Sequence, residues 1–353
     1  MKEAQQPRIL YFDYLRILAM FAVMLLHVAS QFWYTTPTNT AEWQACNIYD
    51  SLARFGVPIF VMISGALFLG KKRPIKRIYQ KNILRLLVAM FFWSILYALW
   101  QKYIAHAFDS NIAFLKEVLV GHVHLWFVYM IIGLYMISPM LQKLVEDRKL
   151  AIYFVTLSIA FAFLIPEIIK VIGLVSPGIS SILQAMRDAL KLDFVLSYSG
   201  LFVLGHLLHT AKIDCKKEKW LYILGAASVL FTMIATAFVS IKRNTPVPIF
   251  YDTFTINVLL QSISVFVFFK KHVNKPAKSE KVGHLIANIS KYSFGAYLVH
   301  LFVLYAFDIF LHFNSFSFNP FIAIPVIAVI IFMISVSVSA IIHKIPVARD
   351  WIV

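Results

Sequence analysis

Apolar residues in this chain of 353 come in runs of about 20, and the runs recur almost from end to end. A helix rises about 1.5 Å per residue, so about 20 apolar residues match the roughly 30 Å hydrocarbon core of a bilayer. Inside hydrocarbon each backbone N–H and C=O needs a partner, and a helix supplies it within its own segment. The expected fold class is therefore all-α: a polytopic transmembrane helix bundle of about ten spans, forming one integral membrane domain over 1–353. The spans are predicted at roughly 10–31, 48–69, 82–101, 121–141, 150–166, 194–211, 220–240, 251–269, 291–311 and 321–343. The fifth is the weakest, being short and ending in "PEIIK". With 60% hydrophobic and 14% charged residues, little is left over for a separate soluble domain.

The formal net charge of +16 invites a nucleic-acid reading, which the placement of the charges excludes. With the N-terminus inside, the inner segments hold 23 of the 33 Lys and Arg and the outer segments hold 7. That bias predicts both termini in the cytoplasm and a multi-pass protein of the cytoplasmic (inner) membrane. The positive charge then reads as a topology signal and a contact with anionic membrane lipids, most of all in "GKKRPIKRIYQK", 70–81. Asp13 and Arg16 break the approach to the first apolar run, and further spans follow it, so that run reads as a span and not as a signal peptide.

Three local expectations follow. Cys46 falls in the first outer loop and Cys215 in an inner loop, so both are expected to be free thiols. "ISSILQAMRDALKL", within 167–193, has the spacing of a short amphipathic helix on the outer face. Trp33, Trp43, Trp100 and Trp126 near one boundary, with Trp220 and Trp351 near the other, look like aromatic belts.

"RILAMFAVMLLH", 16–27, places an arginine and a histidine at the ends of ten apolar residues. Eleven helical steps of about 100° bring Arg16 and His27 onto one face, about 16 Å apart along the axis. Arg16 can snorkel to the inner headgroups, whereas His27 lies in the outer half of the span. Other ionisable residues fall at matching depths. Arg54 lies near the depth of His27, and Arg85 near that of Arg16. His124 opens the fourth span, His300 lies mid-depth in the ninth, and Asp308 lies about two turns above it. Polar groups near both mouths and between them suggest a path through the bilayer, either a transport route or a meeting place for two substrates.

These features resemble the acyltransferase-3 family, bacterial membrane enzymes that O-acylate cell-surface glycans. Arginine, ten residues, then histidine in the first span is similar to that family's hallmark. "FDYLRILA" resembles its opening, "RFGVPIFVMISGALFL" its second span, "GHVHLWFVYM" its fourth and "YSFGAYLVH" its ninth. The likeness runs over about 1–343 and points to the short, membrane-only branch typified by the O-acetyltransferase of enterobacterial common antigen. It implies an acyl-CoA donor in the cytoplasm, acetyl-CoA by analogy with the branch, and a cell-surface glycan or glycolipid acceptor outside. Arg16 and Arg85 are the implied donor-binding cations. The family carries two basic residues three apart at the start of its third span; here Asn82 and Arg85 stand there, with Lys81 adjacent.

An alcohol is a poor nucleophile at neutral pH, and a neutral imidazole can take its proton as it attacks a thioester. His27 is the expected general base, with Arg54 as oxyanion donor and His300 as a further catalytic candidate. No metal is expected, since the histidines are scattered and neither HExxH nor paired CxxC occurs. A homo-oligomer is left open. The rival is a carrier of a lipid-linked sugar or polyprenyl phosphate, against which stands the absence of an inverted repeat.

Overall fold

A computed structural model describes residues 8–273 and 280–353. In chain order the helices are α1 (Leu10–Ala29), α2 (Ala41–Leu69), α3 (Ile75–Tyr103), α4 (Asn111–Val120), α5 (Trp126–Glu146), α6 (Arg148–Val175) and α7 (Pro177–Ala189). They continue as α8 (Asp193–Thr210), α9 (Cys215–Arg243), α10 (Ile249–Val273), α11 (Glu280–Leu311), α12 (Pro320–Ile342) and α13 (Pro346–Trp351). The chain is 81% helical, and no strand occurs among the described residues. Nine of these helices are long and apolar enough to span a bilayer, and α8 is a shorter apolar tenth. The crossings alternate in direction, so α1 begins and α12 ends at one face, here the terminal face. Helices α4 and α7 join crossings at the opposite, far face, and α7 is the amphipathic segment expected within 167–193.

Side-chain caps fix where several helices start. Thr40 accepts from the Trp43 amide at 3.3 Å, Asp147 from the Lys149 amide at 2.8 Å, Asp214 from the Lys217 amide at 2.8 Å and Asn319 from the Phe321 amide at 3.0 Å. Helix α2 is broken at Arg54 and Phe55, between its segments Ala41–Ala53 and Gly56–Leu69. Pro58 has no N–H to return to the carbonyl four residues back, which is that of Arg54. The break therefore sits where the arginine does.

Helices α2 and α8 cross at backbone contact. A Cβ on Gly65 would come within 1.8 Å of the Phe202 carbonyl oxygen, and one on Gly205 within 2.0 Å of that of Met62. Small residues allow this approach in hydrocarbon, where tight packing replaces the hydrophobic drive. Around it the core is dense: Leu15, Ala19, Ile59, Met62 and Phe202 are all fully buried.

The structure corrects four expectations. Helix α2 starts at Ala41 and not at 48, because its first turns are packed inside despite their polarity; Trp43, Cys46 and Asn47 are fully buried. Cys46 is therefore a core residue and not a loop residue, although both cysteines are free as expected. Trp33 and Trp43 also belong to the core and not to a belt, the Trp43 indole donating to the Trp33 carbonyl at 3.0 Å. Helix α6 runs on past Pro166 to Val175, since a π-helical turn over Ile159–Leu164 lies just before the proline and absorbs its missing donor.

Two outcomes test this packing. Gly65→Leu should lower the thermal midpoint by at least about 5 °C in detergent, through overpacking against a backbone that cannot yield. Gly133→Ala, where nothing lies within 4 Å of the added carbon, should leave the midpoint unchanged. In the folded protein a maleimide should label the exposed Cys215 and spare Cys46 until the protein is denatured.

Candidate active site

Two cavities enter the bundle from opposite faces. The near cavity, at the terminal face, encloses about 370 Å³. Arg16 from α1, Lys81, Asn82 and Arg85 from α3, and Lys291 from α11 line it, with Ser64, Tyr135 and Ser290. All four residues assigned to donor binding thus meet in one space. Lys81 and Arg85 are one helical turn apart and share a face, so the lysine reaches the cavity although Asn82 holds the family's basic position. A π-helical turn over Ile78–Ile83 carries Lys81 and Asn82.

Arg16 is held by Asp13, at 3.8 Å on the same helix. Asp13 is 2% exposed and also accepts from Arg8 at 2.5 Å and from Ser290 at 2.7 Å, which ties α1 to α11. Arg85 donates to the main-chain oxygen of Val353 at 2.5 Å, and Trp93 to that of Ile352 at 3.0 Å.

The far cavity encloses about 460 Å³ and is lined by His27, Asp50, Arg54, Tyr251, Tyr305 and Asp308, among others. Arg54 is not a lone charge. Its guanidinium is paired with Asp50, donates to the Tyr251 carbonyl at 3.1 Å and lies 4.0 Å over the Tyr251 ring. Its Nε has no protein partner.

Between the two lies a space of about 40 Å³ lined by His27, His124, Phe60, Phe127 and Tyr297. Phe60, Phe127 and Tyr297 also line the near cavity, and His27 also lines the far one. The Phe60 and Phe127 rings stand 5.9 Å apart and the Phe127 and Tyr297 rings 5.6 Å apart, forming an aromatic neck. His27 is thus at the far end of the neck, and the face of α1 that presents Arg16 to one cavity presents His27 to the other.

His27 does not stand alone. The His300 ring is 5.1 Å from it and the His124 ring 5.2 Å from His300. His300 donates from Nδ1 to the Tyr297 carbonyl at 2.5 Å, which leaves Nε2 as a buried acceptor with no protein partner. The His124 main chain is fixed by the Tyr297 hydroxyl, which donates to its carbonyl. The cluster continues to His122, which stacks on Tyr97 at 4.6 Å. His122 bonds Glu117 through Nδ1 at 2.7 Å and the Tyr305 hydroxyl through Nε2 at 3.1 Å. In the turn before α5, burial draws the His122 imidazole below its ordinary pKa, against the pull of the Glu117 carboxylate. Among the described residues no three His, Cys, Asp or Glu side chains are placed to hold a metal ion.

Sequence reasoning missed Lys291, His122 and Asp50 as site residues. Asp50 carried a signal, since Asp and Arg four apart inside an apolar span form a helical ion pair. His122 did not, because its partners Tyr97 and Tyr305 lie on other helices.

A family model described as an acyltransferase domain, that of the acyltransferase-3 family, matches residues 9–343. No curated protein and no solved structure matches the chain.

Proposed function

The chain belongs to the acyltransferase-3 family, and from that premise we propose that it transfers an acetyl group from cytoplasmic acetyl-CoA to a hydroxyl of a cell-surface glycan or glycolipid, with His27 as general base. The observation that carries this reading is the sharing of His27 between the space beyond the neck and the far cavity, with four basic side chains gathered at the other end. The phosphates of CoA call for Arg16, Lys81, Arg85 and Lys291, whose cavity has no carboxylate in its described lining. The exposed basic residues of 70–81 remain to hold the terminal face on anionic lipid.

The chemistry follows from the order of groups along the path. The thioester arm enters between Phe60, Phe127 and Tyr297, which exclude water and accept a flexible chain. The acceptor hydroxyl enters from the far cavity. His27 takes its proton as the oxygen attacks the thioester carbonyl, and the free Nε of Arg54 is the donor offered to the oxyanion. Collapse expels the CoA thiolate, and the imidazolium returns the proton to sulfur. His300, locked by its bond to the Tyr297 carbonyl, backs the His27 ring. The roughly 40 Å³ between the cavities has room for the narrow end of an acyl arm, which supports transfer.

Two variants separate binding from chemistry. Arg16→Ala should weaken CoA binding at least about tenfold by calorimetry, as loss of one charge-assisted phosphate contact; an unchanged affinity would remove Arg16 from the donor site. His27→Gln keeps size but cannot carry the proton, so kcat should fall at least about a hundredfold while CoA affinity stays unchanged. Retention of more than about a tenth of the rate would move the base elsewhere, with His300 next to be tested.

A further inference from the structure

The far cavity carries three polar side-chain atoms that no protein group meets, the Trp33 indole Nε1 among them. Asp50 is 1% exposed, and while one of its carboxylate oxygens takes the Arg54 guanidinium, Oδ1 has no partner. The Arg54 Nε beside it is also unpaired and buried. A buried carboxylate oxygen left without a donor is unfavourable unless something else supplies one. Both residues line the same cavity as His27, so the missing donor is placed to come from whatever presents its hydroxyl to that imidazole.

The charges of the lining narrow what that can be. Arg54 is the one Lys or Arg among the described residues of this cavity, and Asp50 neutralises it. Asp308, held by the Asn314 amide at 2.9 Å, adds a second carboxylate. The near cavity is the opposite, with Arg16, Lys81, Arg85 and Lys291 and no carboxylate in its described lining. An acidic sugar or a phosphate in the far cavity would face Asp50 and Asp308 with no unpaired cation. An uncharged sugar would donate a hydroxyl proton to Asp50 and lay its C–H face on Phe32 or Tyr34.

Building on the acyl-transfer reading, we propose that the far cavity is a subsite for an uncharged sugar of the acceptor, in which Asp50 Oδ1 accepts from a hydroxyl next to the one acylated. Asp50 and Asp308 turn acidic sugars away. Asp50 is thereby a specificity residue as well as the partner of Arg54.

The test uses a matched pair, methyl β-D-glucoside and methyl β-D-glucuronide, which differ in a carboxylate at one carbon. Binding to the full-length protein in nanodiscs is read by saturation-transfer NMR, and acetyl transfer is read separately with labelled acetyl-CoA. The glucoside should bind at least about tenfold more tightly than the glucuronide, since like charges set face to face are strongly disfavoured. Asp50→Asn should weaken the glucoside about tenfold and bring the two affinities together. Asp308→Asn, at a part-exposed position, should at least halve the preference while leaving the glucoside affinity within about twofold, and it serves even if Asp50→Asn does not fold. Equal affinities in the unmodified protein, binding of neither glycoside, or a preference untouched by Asp308→Asn would overturn the inference. The binding readout needs no thioester. Discrimination without any transfer would therefore contradict the transferase reading alone, and transfer to both sugars at equal rates would contradict the subsite alone.

Discussion

A cation inside hydrocarbon has to be paired or has to reach water, and three arginines set that condition on this bundle. Arg54 is paired within its own helix by Asp50, and the pair is braced by the Tyr251 carbonyl and ring. Arg16 is only loosely held by Asp13 and turns its guanidinium into the near cavity. Arg85 takes a main-chain oxygen of the segment after α13 and opens onto the same space. The helices cannot close around these groups as they close around Ile59 or Met62. Two polar cavities follow from where the arginines lie, one at each face.

The neck between the cavities is as consequential as the cavities. Phe60, Phe127 and Tyr297 separate two pools of opposite electrostatic character, and a histidine stands where they would touch. In the proposed reaction, such a partition would let an anionic, water-soluble donor and a surface glycan share one reaction centre without either crossing the membrane. His27, His300 and His124 stand ring to ring where the two cavities approach, and the backbone carbonyl of Tyr297 fixes the ring of the middle one.

Much of this is written in local pattern. Nine of the helices are apolar runs whose length matches the bilayer, and hydropathy also finds the shorter α8. Arg16 and His27 share a face by counting residues, and the candidate donor-site residues Asn82 and Arg85 come from family resemblance, with Lys81 adjacent. What pattern missed depends on contacts between distant segments. The first turns of α2 look polar, yet Asn47 is buried, donating to the Met233 carbonyl at 3.0 Å and accepting from Tyr251, both far off in sequence. Pro166 looks like a helix end, yet the π-helical turn before it carries α6 onward. Lys291 counted as one more topology charge until α11 was seen to pass the mouth of the near cavity. Trp43 reads as a belt residue because an amphipathic ring favours both the interface and a core with a carbonyl to bond, here that of Trp33.

In the proposed reaction two substrates arrive from opposite faces and meet at His27. Proteoliposomes in which the protein has a single orientation test this directly, with labelled acetyl-CoA and a glycan acceptor confined to chosen sides. With acetyl-CoA at the terminal face and the acceptor at the far face, label should pass to the acceptor while CoA stays on the side where it was supplied. Transfer of comparable rate with both substrates confined to the same face, or appearance of intact acetyl-CoA across the membrane, would contradict it.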